Sequence, residues 1–148
     1  MRLYAVPWLF YCVAIFAFAQ EKKLKPADVP SAVTAASAKR FPNAHVSGWS
    51  KETEEGRTTY EASIVDSSGK RDAVFAEDGS LVAIEEKISI TELPVQVRSA
   101  VAAKYPKAVL RKAEKISHAS ETDYEVDLAQ AARKEVTVSS TGKILKEE

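Results

Sequence analysis

The chain has 148 residues with 21 basic and 21 acidic side chains, so its formal net charge is zero, and 45% of its residues are hydrophobic. This length suits one globular domain, and the even charge balance excludes the polybasic surface that binds nucleic acid or anionic lipid. The single cysteine, Cys12, falls in a predicted leader. The mature protein is therefore expected to have no disulfide and no thiol chemistry.

Residues 1–19 have the pattern of a signal peptide. Arg2 gives a positive start, residues 3–18 are almost wholly apolar, and the small-x-small pattern read by signal peptidase ends at Ala19. We predict cleavage between Ala19 and Gln20 and export to the periplasm or the medium. Removing Arg2 with no acid leaves 20 basic and 21 acidic residues.

An uncleaved membrane anchor is the alternative to cleavage. A spanning helix needs about 20 apolar residues, so this run is at the short limit, and a cleavage pattern follows it. A lipid anchor on Cys12 is rejected because Tyr11 stands where a small residue is expected. The mature protein is expected to have no stable membrane association.

The rest of the chain contains one pattern twice. The stretch VPSAVTAASAKRFPNA at residues 29–44 returns as LPVQVRSAVAAKYPKA at residues 93–108, which is 64 positions later. The correspondence continues past these stretches to Gly79 and Gly142, after a one-residue deletion. The sequence therefore predicts two tandem repeats, residues 28–90 and 91–148, preceded by a flexible lead-in at 20–27.

Each repeat begins with a helix and continues as strands. Val33, Ala36 and Phe41 recur at helical spacing, and Pro42 ends the helix because it disfavours the α region in the preceding residue. The pattern then alternates with period two, as in residues 59–64 (TYEASI), and residues 77–80 (EDGS) indicate a hairpin turn. We predict an α+β fold in which two repeats, each a helix packed on about four antiparallel strands, join into one extended curved sheet.

These motifs resemble those of the PepSY-like group, which is related to the β-lactamase inhibitor protein fold. The shared pattern is an apolar residue, a proline, a valine, an aromatic-proline pair, Tyr-Glu-x-x-(Ile/Leu) and a glycine hairpin, and it covers roughly residues 28–148. The resemblance implies an exported protein of tandem repeats whose open sheet engages another protein. The inhibitor's repeats carry disulfides and this chain has none, so no contact residues are carried over.

The sheet face away from the helices is the candidate binding surface. If Tyr60 and Tyr124 face the helices, the neighbouring residues face outward, and we predict that the partner contacts are Glu61, Asp123, Glu125 and Asp127. Trp49 joins them as an aromatic anchor if Val46 faces inward. The alternative is that Trp49 folds over an edge or that a bulge turns it into the core.

No chemical site is evident in the sequence. Carboxylates spaced along one strand lie about 6.8 Å apart and do not converge on a metal ion, so we predict no metal and no cofactor. His45 and His118 occupy unrelated positions in the two repeats, no phosphate-binding loop occurs, and no enzyme activity is predicted. The sequence favours an exported binding module that engages or inhibits an unknown exported protein. The alternative is an envelope or stress accessory protein that binds small ligands or wall components.

Overall fold

A computed structural model of the protein describes residues 21–54, 56–129 and 134–148. The predicted cleavage site at Ala19 and Gln20 lies outside these ranges. The described residues form two α-helices, α1 (Ser31–Arg40) and α2 (Val95–Lys104). They also form nine strands, which are β1 (Lys22–Leu24), β2 (His45–Glu54), β3 (Arg57–Asp66), β4 (Gly69–Ala76), β5 (Leu81–Ile88), β6 (Val109–Ser117), β7 (Thr122–Ala129), β8 (Lys134–Ser139) and β9 (Ile144–Glu147).

All nine strands join in one open antiparallel sheet, and their order in the sheet is their order in the chain. Strand β5 pairs directly with β6, so the strands before and after α2 belong to the same sheet. The predicted α+β class and the single antiparallel sheet are confirmed.

Strand β1 corrects the prediction of a flexible lead-in over residues 20–27. Its three residues pair with β2, and Leu24 lies opposite Trp49 and packs against the buried core. One apolar residue in a polar stretch carries this contact, which is too weak a pattern for sequence reasoning to identify as a strand.

Both helices pack on one face of the sheet, where the period-two alternation of the strands collects the apolar side chains. Buried residues form two clusters. The cluster under α1 contains Val29, Val33, Tyr60, Ala62, Ile64, Ala73 and Phe75. The cluster under α2 contains Leu93, Val97, Val101, Ala113, Val126, Leu128, Val136 and Val138.

Two β-bulges change which side chains reach this core. The register of β2 on β3 shifts between Val46 and Gly48, and the register of β6 on β7 shifts between Leu110 and Lys112. Each shift leaves one extra residue in its strand, so the alternation of side chains reverses beyond it. As a result Trp49 and Ala113 face the same side as Val46 and Leu110.

Two hairpin turns press closely against the first turns of the helices. Gly79, between β4 and β5, has φ +85, and a Cβ atom there would lie 2.6 Å from the carbonyl oxygen of Ala32. Gly142, between β8 and β9, has φ +89, and its Cβ would lie 2.9 Å from the carbonyl oxygen of Gln96. Both positions need glycine for the backbone angle and for the contact.

We predict that Gly79→Ala lowers the free energy of unfolding by roughly 2–4 kcal/mol, since alanine adds a clash to the cost of a positive φ. Gly56 is the matched control, because it has φ +77 and nothing within 4 Å of a Cβ. Gly56→Ala is expected to cost only about 1–2 kcal/mol. Urea denaturation of both variants measures the difference. Equal losses of unfolding free energy would show that the close contact between the hairpin and α1 does not affect stability.

Candidate functional site: the open face of the sheet

The open face is the side of the sheet that carries no helix. The strand registers place on it the carboxylates of Glu52, Glu54, Glu61, Asp72, Glu85, Glu114, Asp123, Glu125, Asp127, Glu135 and Glu148. They place fewer cations there, namely Lys23, Arg57, Lys70, Lys87, Lys112 and Lys146. The surface is therefore acidic.

Four of the five predicted contact residues lie on this face. Glu61 is on β3, and Asp123, Glu125 and Asp127 are on β7, each next in sequence to a residue that faces the helices. The structure thus places these four carboxylates on one face of the sheet, with β4, β5 and β6 between Glu61 and the three on β7. Their contact with a partner stays a prediction.

The placement of Trp49 on the open face is wrong. The extra residue in β2, Ser47, reverses the alternation, so Trp49 lies opposite Ala62 and packs against the cluster under α1. The bulge that sequence reasoning kept as an alternative turns the indole to the helix side, where it is partly buried. Trp49 therefore supports the fold, and it does not belong to the open face.

Carboxylates lie directly opposite one another at three positions of the sheet. The facing pairs are Asp72 and Glu85 on β4 and β5, Glu114 and Glu125 on β6 and β7, and Asp127 and Glu135 on β7 and β8. Like charges that face each other across strands destabilise a sheet. Sequence reasoning missed Glu85 and Glu114 because it did not predict the register that joins β5, β6 and β7.

Burial and the repulsion of neighbouring carboxylates raise the pKa values of three glutamates on the open face, Glu61, Glu85 and Glu125. The pKa of Glu125 rises from 4.5 to about 8, first because burial disfavours its charge and then because Glu135 and Glu114 are near. Burial is also the main reason that the pKa of Glu61 and that of Glu85 rise to about 7. These three carboxyl groups are consequently partly protonated near neutral pH.

A cavity of about 130 Å³ lies on the open face between β6, β7 and β8. It is lined by Lys112, Glu114, Glu125, Asp127 and Glu135. Lys112 lies opposite Asp127, whose exposed fraction is only 6%. A space of this size takes a few water molecules or the end of one side chain, and its lining favours a cationic group.

The open face is concave. Lys146 on β9 reaches across it to form an ion pair with Glu54 on β2, and its ammonium nitrogen also lies 2.6 Å from an oxygen of Glu148. This contact brings the last strand of the sheet close to the C-terminal end of β2. The carboxylates between the two ends therefore lie inside a curved surface, which explains why they are partly buried although no helix covers them.

The described part of the chain offers few other groups that could bind a ligand or react. Within residues 21–54, 56–129 and 134–148, no group of three or more His, Cys, Asp or Glu side chains could hold a metal ion. His118 lies beside a carboxylate, with its Nε2 3.3 Å from Oδ2 of Asp123. None of the helices described is long and apolar enough to cross a membrane.

The fold and the site define an α+β protein with helices on one side of a single sheet and an acidic concave surface on the other. Residues 58–146 match the family model described as "Putative beta-lactamase-inhibitor-like, PepSY-like", and the chain belongs to this family. The sequence resemblance to the PepSY-like group is thereby confirmed. Among curated proteins, no match to the chain was found.

Solved structures from Bacteroides share the fold. A DUF2874 family protein of Bacteroides uniformis superposes with a TM-score of 0.63 at 20% identity, over 81% of this chain and 88% of that chain. A BLIP-like protein of Bacteroides fragilis gives a TM-score of 0.59 at 22% identity, over 81% and 85%. A structure from Bacteroides eggerthii, described among "putative periplasmic proteins", gives 0.63 at 17% identity, over 81% and 88%. At these identities the likeness establishes the fold alone.

The raised pKa values predict that stability falls as the pH rises from 5 to 8.5. The folded protein keeps protons on Glu61, Glu85 and Glu125 above pH 4.5 that the unfolded chain releases, so the unfolded state is favoured as these groups ionise. We expect Glu125→Gln to stabilise the protein by about 1–2 kcal/mol at pH 8.5 and to have little effect at pH 5, where the carboxyl group is already neutral.

Thermal unfolding followed by circular dichroism at both pH values tests this. Glu77→Gln is the control, since Glu77 lies exposed in the β4–β5 hairpin. An equal loss of stability at both pH values in Glu125→Gln would show instead that the carboxylate is held by stabilising contacts.

Proposed function

We propose that the protein is an exported, non-enzymatic binding module whose open face engages a positively charged segment of another extracytoplasmic protein. The observation that carries the proposal is the set of facing carboxylate pairs inside a concave surface. These pairs weaken the isolated sheet, and a cationic partner would relieve their repulsion.

The energetic argument follows from the raised pKa values. Burial without enough cations makes ionised Glu61, Glu85 and Glu125 unfavourable in the free protein. Lysine or arginine side chains of a partner would supply the missing positive charge and would favour the ionised form. Binding then releases protons, and the affinity for a basic segment is expected to rise between pH 6 and pH 8.

Export is supported by the leader pattern at residues 1–19 and by the periplasmic description of the Bacteroides eggerthii structure. We infer that cleavage after Ala19 delivers the module to the periplasm or the medium. The family description supports inhibition as the outcome when the bound partner is an enzyme.

We also propose that the module arose as a tandem duplication of one helix-and-sheet unit. Helices α1 and α2 have 10 residues each, and each is followed by four strands. Phe41 and Tyr105, which end the two helices, have φ −128 and ψ values of 64 and 66. The bulges in β2 and β6 and the glycine turns at Gly79 and Gly142 occupy corresponding places.

The binding proposal predicts that charge reversal on the open face abolishes recognition of a basic ligand. We expect the protein to bind a peptide of alternating lysine and glycine, and to ignore the glutamate and glycine counterpart, in fluorescence anisotropy at low salt. Combining Glu61→Lys with Glu125→Lys should weaken binding by roughly 10-fold or more, since two attractive charges become repulsive. Raising the salt concentration should weaken wild-type binding.

Glu77→Lys is the control for each reversal made singly, because it makes the charge change of Glu61→Lys or Glu125→Lys alone in an exposed hairpin that lies against α1, on the helix side of the sheet. The wild type and both variants are then used as baits for proteins of the native extracytoplasmic fraction, and a captured enzyme is assayed for inhibition. Equal binding by the reversed and control variants, with folding intact, would remove the open face as the binding surface. Specific capture of small ligands or wall material instead would favour the accessory role.

A further inference from the structure

The contact between Lys146 and Glu54 spans the proposed binding surface. The two residues are 92 positions apart in the chain and belong to β9 and β2, which lie near opposite ends of the sheet. Glu148, two residues after Lys146 in the chain, lies 2.6 Å from the same ammonium group. One lysine of the protein therefore occupies acidic groups of the open face in the absence of any partner.

We propose that Lys146 and Glu54 form a clasp that holds the concave surface closed and competes with a cationic partner for it. This inference rests on the binding function proposed above. The clasp uses the same pairing of ammonium with carboxylate that the partner would use, so one side chain of the protein substitutes for part of the ligand.

The clasp is weak enough to open. The side chains of Lys146, Glu54 and Glu148 are 42%, 43% and 47% exposed, and ion pairs this exposed contribute little to stability. A ligand that presents several cations can therefore displace a single ammonium group.

Strand β9 is short, and the side chain of Lys146 can leave Glu54 while Glu147 stays paired with Lys104 and Lys134. The strand has four residues at the outer edge of the sheet, and its register on β8 shifts between Thr137 and Val138. Leu145, the extra residue at this shift, is 48% exposed. Few apolar contacts would be lost if the side chain of Lys146 swung away from β2.

The direction in which Glu54→Gln changes the peptide affinity distinguishes a clasp from simple electrostatic attraction. Lys146→Gln should strengthen binding of the lysine–glycine peptide by about two- to fivefold, the range that an exposed ion pair supports. Removing a cation from an acidic face also strengthens binding of a cationic peptide to some extent by charge alone. Glu54→Gln removes a negative charge, so simple attraction predicts weaker binding, whereas release of the clasp predicts binding at least as strong as that of the wild type.

Lys87→Gln is the matched control, because Lys87 lies on the open face opposite Glu114 and away from the contact. It should strengthen binding less than Lys146→Gln. Peptide affinities of the four proteins, measured at the same pH and salt concentration, give the comparison. Weaker binding by Glu54→Gln, or equal gains in Lys146→Gln and Lys87→Gln, would overturn the clasp.

A second readout needs no ligand. In amide NMR spectra, Lys146→Gln should shift the resonances of residues 52–54 on β2, while Lys87→Gln should leave them in place. Unmoved resonances in Lys146→Gln would overturn the clasp whatever the peptide does. Failure of both the wild type and Lys146→Gln to bind the peptide, with the β2 resonances shifted, would overturn the binding function and the competition but not the closing contact.

Discussion

The packing of both helices on one face of a single sheet is the constraint on which the rest of the structure depends. Each strand alternates its side chains between two faces, so collecting the apolar residues under α1 and α2 leaves every second residue on a face without cover. The hairpin glycines allow the turns to contact the first turns of the helices, and the bulges in β2 and β6 bring Trp49 and Ala113 to the helix side. The open face contributes little to the core, and its side chains are free to be polar.

Curvature then makes this polar face unusual. A flat open face would leave its carboxylates in water with ordinary pKa values. The contact between β9 and β2 instead places Glu61, Glu85 and Glu125 inside a concave surface, where burial raises their pKa values. The stability supplied by the two buried clusters on the other face offsets this electrostatic destabilisation. The same arrangement that weakens the sheet concentrates negative potential where a partner can reach it.

Local patterns were sufficient to predict much of this architecture. The alternation around Tyr60 and Tyr124 gives the two faces, and the proline after Phe41 gives the end of α1, because both depend on neighbouring residues alone. The bulge at Ser47 was foreseen only as an alternative, although Gly48 beside it is a glycine inside a strand and so a signal for such an irregularity, and it moved Trp49 off the predicted face. The facing of Glu114 with Glu125 also depends on register, which the pairing of distant strands determines.

The helix face and the open face of the sheet are subject to different structural requirements, and this difference matters for the proposed binding function. Structures with 17–22% identity to this chain share its fold, so the requirements of the helix face are met by very different sequences. Residues of the open face are not packed under the helices, so they have more freedom to differ between proteins that share the fold. In the proposed binding function, partner choice would therefore be a property of the individual open face, and in this chain that face combines carboxylates that face one another with a lysine, Lys146, that pairs with Glu54 and Glu148.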